Sequence, residues 1–256
     1  MVLMPVILVT NDDGVYSEGI HALADAMRPL GEVLVVAPLT EASAIGHALT
    51  LRRPLRIETI DPQTFAIDGT PTDCVNIAIT HILHGNPDLI VSGINKGWNL
   101  GDDVTYSGTV SGALEGALLG IPSLAVSAER VKDSAEFESS ARVAAQVAEA
   151  VLERGMPKFT LLNINVPRGE HKGFRVTVQA RRNHVTVVSK RMDPRHRAYY
   201  WIEEGENHWE FQDHSDYQAV SDGYVSITPL QPDMTAHGAF AYLEGLSLVT
   251  PEALKS

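Results

Sequence analysis

Near its amino end the chain reads VILVTNDDG, residues 6–14, and this stretch indicates the fold class. Val6–Thr10 is a short apolar run rich in β-branched side chains, which is typical of a strand covered on both faces. Two adjacent acids, Asp12 and Asp13, follow directly, and Gly14 permits a tight turn. A buried strand that ends in a polar loop predicts an α/β sheet with a ligand site at the strand's carboxyl end.

Outward from this stretch, apolar runs alternate with helical patterns over the first two-thirds of the chain. Further strands are predicted at Glu32–Ala37, Leu89–Ser92, Ser123–Ser127 and Thr160–Val166, with extended segments at His47–Leu51 and Leu55–Ile60. Helices are predicted at Gly19–Leu30, from Pro71 to about Leu83, at Thr109–Leu119 and at Ala135–Arg154. Repeated strand–helix–strand units predict a mostly parallel sheet with helices on both faces.

The composition changes near Arg181. Residues 182–213 are polar, charged and β-prone, and they contain five large aromatic side chains. We interpret this region as a protruding β-arm that pairs subunits, in preference to a mobile surface insertion, because exposed aromatic side chains on a hairpin favour pairing. A late strand at Tyr224–Pro229 and a closing segment at Gln231–Leu248 follow.

Charge and cysteine content exclude some classes of protein. Lysine and arginine number 20 and the acids 32, giving a formal net charge of −12, which disfavours binding to nucleic acid polymers. A small anionic substrate would need a local cation. The single cysteine, Cys74, cannot form an intramolecular disulfide. With no basic leader and no apolar run of about 20 residues, we expect a cytoplasmic protein without membrane segments.

The acidic pair has two interpretations. Asp12 and Asp13 repel each other and are costly to bury, and a hard divalent cation such as Mg²⁺ or Mn²⁺ would offset both effects. The alternative is an Asp-Gly turn whose acids only cap the helix that begins near Ser17.

Two further loops offer oxygen ligands. Ser43, after the second strand, is either a metal ligand or an ordinary loop serine, and His47 is expected to make a structural hydrogen bond. After the third strand, Asn95 and Asn99 carry carbonyl oxygens that can bind a cation or contact a substrate. The acids at 102–103 are expected to form a solvated turn.

The fourth loop leads straight into a helix. The backbone N–H groups of a helix start attract anions, and Ser107 and Thr109 add hydroxyl donors, although capping of the helix explains the same residues. A metal beside a phosphate-binding loop indicates phosphoryl chemistry.

At these residues the chain resembles the SurE survival-protein family of 5′/3′-nucleotidases. The segments that carry the resemblance are TNDDG (10–14), SAIGHALT (43–50), GTPTDCV (69–75), SGIN (92–95), NLG (99–101), YSGTV (106–110), LNINVP (162–167) and GYVSITPL (223–230). The resemblance implies a three-layer α/β/α, Rossmann-like core at 1–181 and an oligomerisation arm at 182–213. It also implies that a C-terminal strand and helix at 214–256 complete the core or exchange with a partner subunit.

The resemblance also implies a site and a reaction. One divalent cation, Mg²⁺ or Mn²⁺, is expected, with the ligands Asp12, Asp13, Ser43 and Asn95. The expected phosphate-binding residues are Asn99, Ser107, Gly108 and Thr109. Asp12 and Asp13 are the expected catalytic residues, with Asp13 and His47 both open as general acid or base. The implied activity is hydrolysis of nucleoside 5′-monophosphates, with 3′-nucleotides and short polyphosphate as further substrates, in a homodimer or homotetramer.

Two alternatives remain. An aspartyl-phosphate phosphatase also carries acids after its first strand, but it needs a nucleophilic acid two residues before the second one, where this chain has Asn11. A non-catalytic nucleotide- or metal-binding stress sensor would keep the same glycine loops.

Overall fold

The computed structural model describes residues 4–129, 134–183, 186–204 and 208–246. The strands are β1 (Val6–Thr10), β2 (Glu32–Pro38), β3 (Ile57–Asp61), β4 (Thr64–Ile67), β5 (Leu89–Lys96), β6 (Ser123–Ala128), β7 (Leu161–Val166), β8 (Phe174–Val176), β9 (Arg182–Asn183), β10 (Thr186–Met192), β11 (Ala198–Glu204), β12 (His208–Trp209) and β13 (Val225–Leu230). The α-helices are α1 (Glu18–Met27), α2 (Pro71–Ile77), α3 (Gly108–Leu118), α4 (Ser134–Arg154), α5 (Asp216–Ser221) and α6 (Phe240–Gly245).

Nine strands form one sheet in the order β3-β4-β2-β1-β5-β6-β7-β13-β8. The six strands from β4 to β7 are mutually parallel, while β3 and β13 run antiparallel to β4 and β7. Because β1 lies between β2 and β5, the loops that follow these three strands meet at one edge of the sheet. The prediction of a mostly parallel α/β sheet is confirmed.

Helices cover both faces of the sheet. On one face α1 and α4 pack through side chains such as Ile20 and Ala144, and on the other α2 packs through Cys74 and Val75 against Leu8. Helix α3 lies on this second side, with Ala113 and Ala117 buried against β6 and β7. The expected three-layer arrangement is therefore present.

Helix α2 begins as its sequence predicts. The Thr70 side chain accepts from the N–H of Asp73, and the Asp73 carboxylate accepts from the N–H of Thr70, which is a complete capping box. The helix ends earlier than expected, at Ile77, and a π-helical turn at Ala78–Ile82 continues it.

Residues 47–51, where an extended segment is expected, are not part of a strand. The Ala48 carbonyl accepts from the Thr70 hydroxyl, and the Thr50 N–H donates to Asp73, so this segment is tied to the start of α2. A hairpin follows: β3 begins at Ile57 and pairs antiparallel with β4. Strand β4 was not predicted from the sequence. Strand β5 also runs further than predicted, to Lys96.

Strands β10 and β11 form a hairpin outside the main sheet, and β9 pairs with β12 beside it. Tyr200, Trp201 and Ile202 on β11 are more than half exposed. Strand β13 lies within the main sheet of the same chain. Parts of the expected arm (184–185 and 205–207) and of the expected C-terminal segment (247–256) lie outside the described residues. In the described part of the chain, no helix has the length and apolar character that crossing a membrane requires.

Candidate active site

The loop after β1 is folded by Asn11. Its side-chain amide donates to the Gly14 carbonyl (3.0 Å) and to the Ser17 hydroxyl (2.7 Å), and its Oδ1 accepts from the Gly14 N–H. Gly14 has a φ of +98°, which favours glycine at this turn. The side chain of Asn11 makes the turn, and the Asp12 carboxylate accepts a hydrogen bond from Thr109. The interpretation that Asp12 caps α1 is therefore wrong.

Asp12 lies at the start of α3. Its buried carboxylate accepts hydrogen bonds from both the hydroxyl and the backbone N–H of Thr109. Burial raises the pKa of Asp12, and the two Thr109 donors oppose that rise. The positive end of α3, an expected site for an anion, contacts this carboxylate.

Three glycines bring α3 close to the sheet. A Cβ built on Gly108 would lie 2.6 Å from the Cβ of Asp12. One on Gly112 would lie 2.9 Å from the Ser92 hydroxyl oxygen, and one on Gly116 would lie 2.2 Å from that of Ser123. No side chain fits between the helix and the strands along this line, so the contact of Asp12 with Thr109 depends on the glycines.

A cavity of about 770 Å³ opens at this edge of the sheet. Its lining residues are Asp12, Asp13, Glu41, Ser43, Ala44, Asn95, Lys96, Gly97, Trp98, Asn99, Leu100, Asp103, Tyr106, Ser107, Glu129 and Trp209. All four expected metal ligands line this one cavity, and so do Asn99 and Ser107. Gly108 and Thr109 do not line this cavity. Gly108 lies against the Asp12 side chain, and the Thr109 hydroxyl donates to the Asp12 carboxylate.

The donors in this cavity fit a hard cation. The Ser43 hydroxyl donates to Glu41 (2.7 Å), which leaves the oxygen lone pairs of Ser43 for a ligand. The Asn95 amide nitrogen donates to the Gly97 carbonyl (2.8 Å), so Oδ1 is the atom of Asn95 that can bind a metal. Two carboxylates, a hydroxyl and an amide oxygen suit Mg²⁺ or Mn²⁺.

The charges around Asp13 also fit a cation. Burial, followed by the negative charges of Asp12 and Glu41, raises the pKa of Asp13 to about 6. A divalent cation would offset the repulsion between these negative charges. Within the described residues, no three His, Cys, Asp or Glu side chains form a metal-binding group. Ser43 and Asn95 offer neutral oxygens at the same cavity.

Asn99 is held by a buried network from β6 and β7. Its N–H donates to Asn165 Oδ1 (2.8 Å), and its carbonyl accepts from Asn163 (2.8 Å) and Asn165 (3.1 Å). Its side-chain amide donates to the Ser127 hydroxyl (2.8 Å). Two strands thus hold Asn99 at the cavity wall.

Several residues of the cavity were not identified from sequence. Glu41 lies two positions before Ser43 in the same loop, which is a usable signal, whereas Trp209 comes from a distant part of the chain. Asp102 is exposed, as expected for a solvated turn, and Asp103, which is half-buried, also lines the cavity.

His47 is not among the residues that line the cavity. Its Nε2 lies 2.7 Å from Glu115 Oε2, which confirms the expected structural hydrogen bond. His47, a candidate general acid or base, therefore lies outside the cavity that the expected metal ligands line.

Comparison with known proteins identifies close relatives. The family model described as survival protein SurE matches residues 7–186. A 5′-nucleotidase SurE from Syntrophotalea carbinolica is 50% identical over 243 residues, covering 94% of this chain and 97% of the relative. A 5′-nucleotidase SurE from Pelobacter propionicus is 51% identical over 236 residues, covering 91% and 96%. The crystal structure of the SurE protein from Aquifex aeolicus superimposes with a TM-score of 0.84 at 45% identity, covering 95% of this chain and 100% of that one.

Proposed function

Because the chain belongs to the SurE family, we propose that it is a 5′-nucleotidase whose reaction takes place in the cavity beyond β1, β2 and β5. The observation that carries this proposal is the meeting of Asp12, Asp13, Ser43 and Asn95 in one cavity. The family is metal-dependent, and we assign these four residues as ligands of one divalent cation, Mg²⁺ or Mn²⁺.

The residues around the cation have separate roles. When bound, a divalent cation supplies Lewis-acid polarisation of the phosphoryl oxygens and lowers the pKa of water. Asp12, fixed by Thr109, provides a ligand that cannot shift away. Glu41 accepts a hydrogen bond from the Ser43 hydroxyl and so leaves the lone pairs of the Ser43 oxygen for the cation.

Asn99 and Ser107 are the proposed phosphate contacts, since both line the cavity beside the acids. The Ser127 hydroxyl can donate as well as accept, so the Asn99 amide can rotate and present its NH₂ group to a phosphate oxygen. Gly108 and Thr109 act through Asp12. Lys96, also at the cavity, adds positive charge that favours a phosphate dianion.

Asp13 is the preferred general base. Asp13 lines the cavity in which the water would attack, so its carboxylate can accept a proton from that water. His47 lies outside this cavity and is bonded to Glu115, which argues against it.

The test is phosphate release from a panel of substrates. We expect hydrolysis of nucleoside 5′-monophosphates with Mg²⁺ or Mn²⁺, abolished by a chelator and by Asp13→Ala, and slower hydrolysis of 3′-nucleotides and short polyphosphate. Tight nucleotide binding without phosphate release would favour the non-catalytic sensor. A trapped phosphoenzyme on Asp12 would favour the aspartyl-phosphate mechanism.

The assembly is a further part of the proposal. The β10–β11 hairpin exposes Tyr200, Trp201 and Ile202, a set of apolar side chains that a second copy could cover. We assign residues 182–213 as the oligomerisation arm and 214–256 as the segment that completes the core or exchanges with the partner. Light scattering should give a dimer or tetramer, which Trp201→Lys with Ile202→Lys should dissociate.

A further inference from the structure

One aromatic side chain of the cavity lies far from the others in sequence. Trp209 is on the short strand β12, and the pairing of β12 with β9 places it at the cavity wall. The cavity, at about 770 Å³, falls within the range of about 300–1,000 Å³ that accommodates a drug-sized ligand. A phosphate group and one cation fill only a small part of such a volume.

Trp209 is held in a fixed plane. Its ring stacks on that of Tyr217, with centroids 4.5 Å apart and ring planes 10° from parallel. Tyr217 therefore covers one ring face, and Trp209 is half-buried and lines the cavity. An aromatic ring whose orientation is fixed by a stacked neighbour, as Tyr217 fixes Trp209, is suited to stacking against a second planar ring.

The same residues are tied to the loop that carries Asn99. Buried Asp216, next to Tyr217, accepts from the N–H groups of Gly101 (2.9 Å) and Ala180 (2.9 Å). A Cβ on Gly101 would lie 3.2 Å from the ring of Trp209. Hydrogen bonds of Asp216 and the contact of Gly101 with Trp209 therefore join the aromatic pair to the loop that carries the proposed phosphate contact.

We propose that Trp209, backed by Tyr217, is the stacking surface for the base of the nucleotide substrate. This inference rests on the proposed function. Stacking needs no particular hydrogen-bond pattern, so it predicts acceptance of all bases. It also predicts a preference for purine over pyrimidine nucleotides, because the larger ring buries more area.

The experiment compares kcat/KM for AMP, CMP and ribose 5-phosphate, which has no base. Trp209→Leu should lower the ratio of kcat/KM for AMP to that for ribose 5-phosphate about tenfold, mainly through KM, and the ratio for CMP by less. Trp209→Phe, which keeps a ring, should retain most of the ratio. Phe211→Leu is the matched control, since Phe211 is an exposed aromatic residue that does not line the cavity.

A fall of threefold or less in the AMP ratio for Trp209→Leu would overturn the proposal, and so would an equal loss on all three substrates. Calorimetric titration of the chelator-treated protein with AMP and with ribose 5-phosphate separates this proposal from the proposed function. If wild type hydrolyses none of the substrates, the enzyme assignment fails, whereas the base-dependent difference in affinity still decides the role of Trp209.

Discussion

The hydroxyl of Thr109 donates to the carboxylate of Asp12, joining the end of β1 to the start of α3 across 97 positions of sequence. This bond holds one ligand of the proposed cation in place. It also satisfies an acid that would otherwise be buried without a side-chain partner.

Replacing Thr109 with valine should therefore weaken both stability and activity. Valine keeps the shape but removes the donor, and we expect a loss of about 2 kcal/mol in the free energy of unfolding and a fall of about tenfold or more in kcat/KM. Urea unfolding and steady-state kinetics with Mn²⁺ measure the two effects. Thr109→Ser, which restores a hydroxyl, is the control, and wild-type kinetics in the valine variant would contradict the role of the bond.

Asp13→Asn should abolish activity while stabilising the metal-free protein. The raised pKa of Asp13 means that its charge opposes folding. Discounting for solvent screening, we expect a gain of about 1 kcal/mol at pH 7. Thermal unfolding with and without Mn²⁺ should show that the metal stabilises wild type but not the variant. Asp102→Asn, at an exposed acid, should behave as wild type; retention of Mn²⁺ stabilisation by Asp13→Asn would remove Asp13 from the ligand set.

Metal affinity should depend on pH near 6. The pKa of Asp13 rises from 3.8 in the unfolded chain to about 6, so the metal-free protein loses stability as the pH rises between these values. Protons compete with the cation over the same range. Calorimetry at pH 5, 6, 7 and 8 should show Mn²⁺ affinity falling about tenfold per pH unit below 6 and levelling above 7. A flat profile from pH 5 to 8 would argue against Asp13 as a ligand.

Glu115 should stabilise the protein only above acidic pH. Burial raises its pKa, but hydrogen bonds with His47 and Asn76 outweigh this effect and lower the pKa below 4.5. Its contribution is therefore complete above 4.5 and is lost as the pH falls through the folded-state value. Glu115→Gln should cost about 1–2 kcal/mol at pH 7 and much less near pH 3. Urea unfolding of this variant and of Glu58→Gln, an exposed control, tests this; an equal loss at both pH values would contradict it.

Local patterns predicted the parts of the fold that local physics determines. The apolar run Val6–Thr10 specifies β1, and Pro71 marks the start of α2. Residues 47–51 are tied to the start of α2 by hydrogen bonds with Thr70 and Asp73, a tertiary effect that the local pattern does not show.

The same distinction holds for the site. The acids and the small polar residues could be predicted because each follows a strand of the parallel sheet, whose ends must meet. The position of Asp12 against α3 could not, since it depends on a helix 97 residues away. Trp209 reaches the cavity through the pairing of β12 with β9, and no pattern around it indicates that role.

The three glycines of α3 that face the sheet, Gly108, Gly112 and Gly116, limit how this protein can be engineered. Gly112 and Gly116 lie inside a helix, where alanine would ordinarily be better by about 1 kcal/mol each, so a consensus or automated stabilisation protocol would select them for replacement. Here the added methyl groups would lie 2.9 Å from the Ser92 hydroxyl oxygen and 2.2 Å from that of Ser123, so these side chains or the helix would have to shift. Thermostable variants of this scaffold should therefore be sought on its outer surfaces, with this helix left untouched.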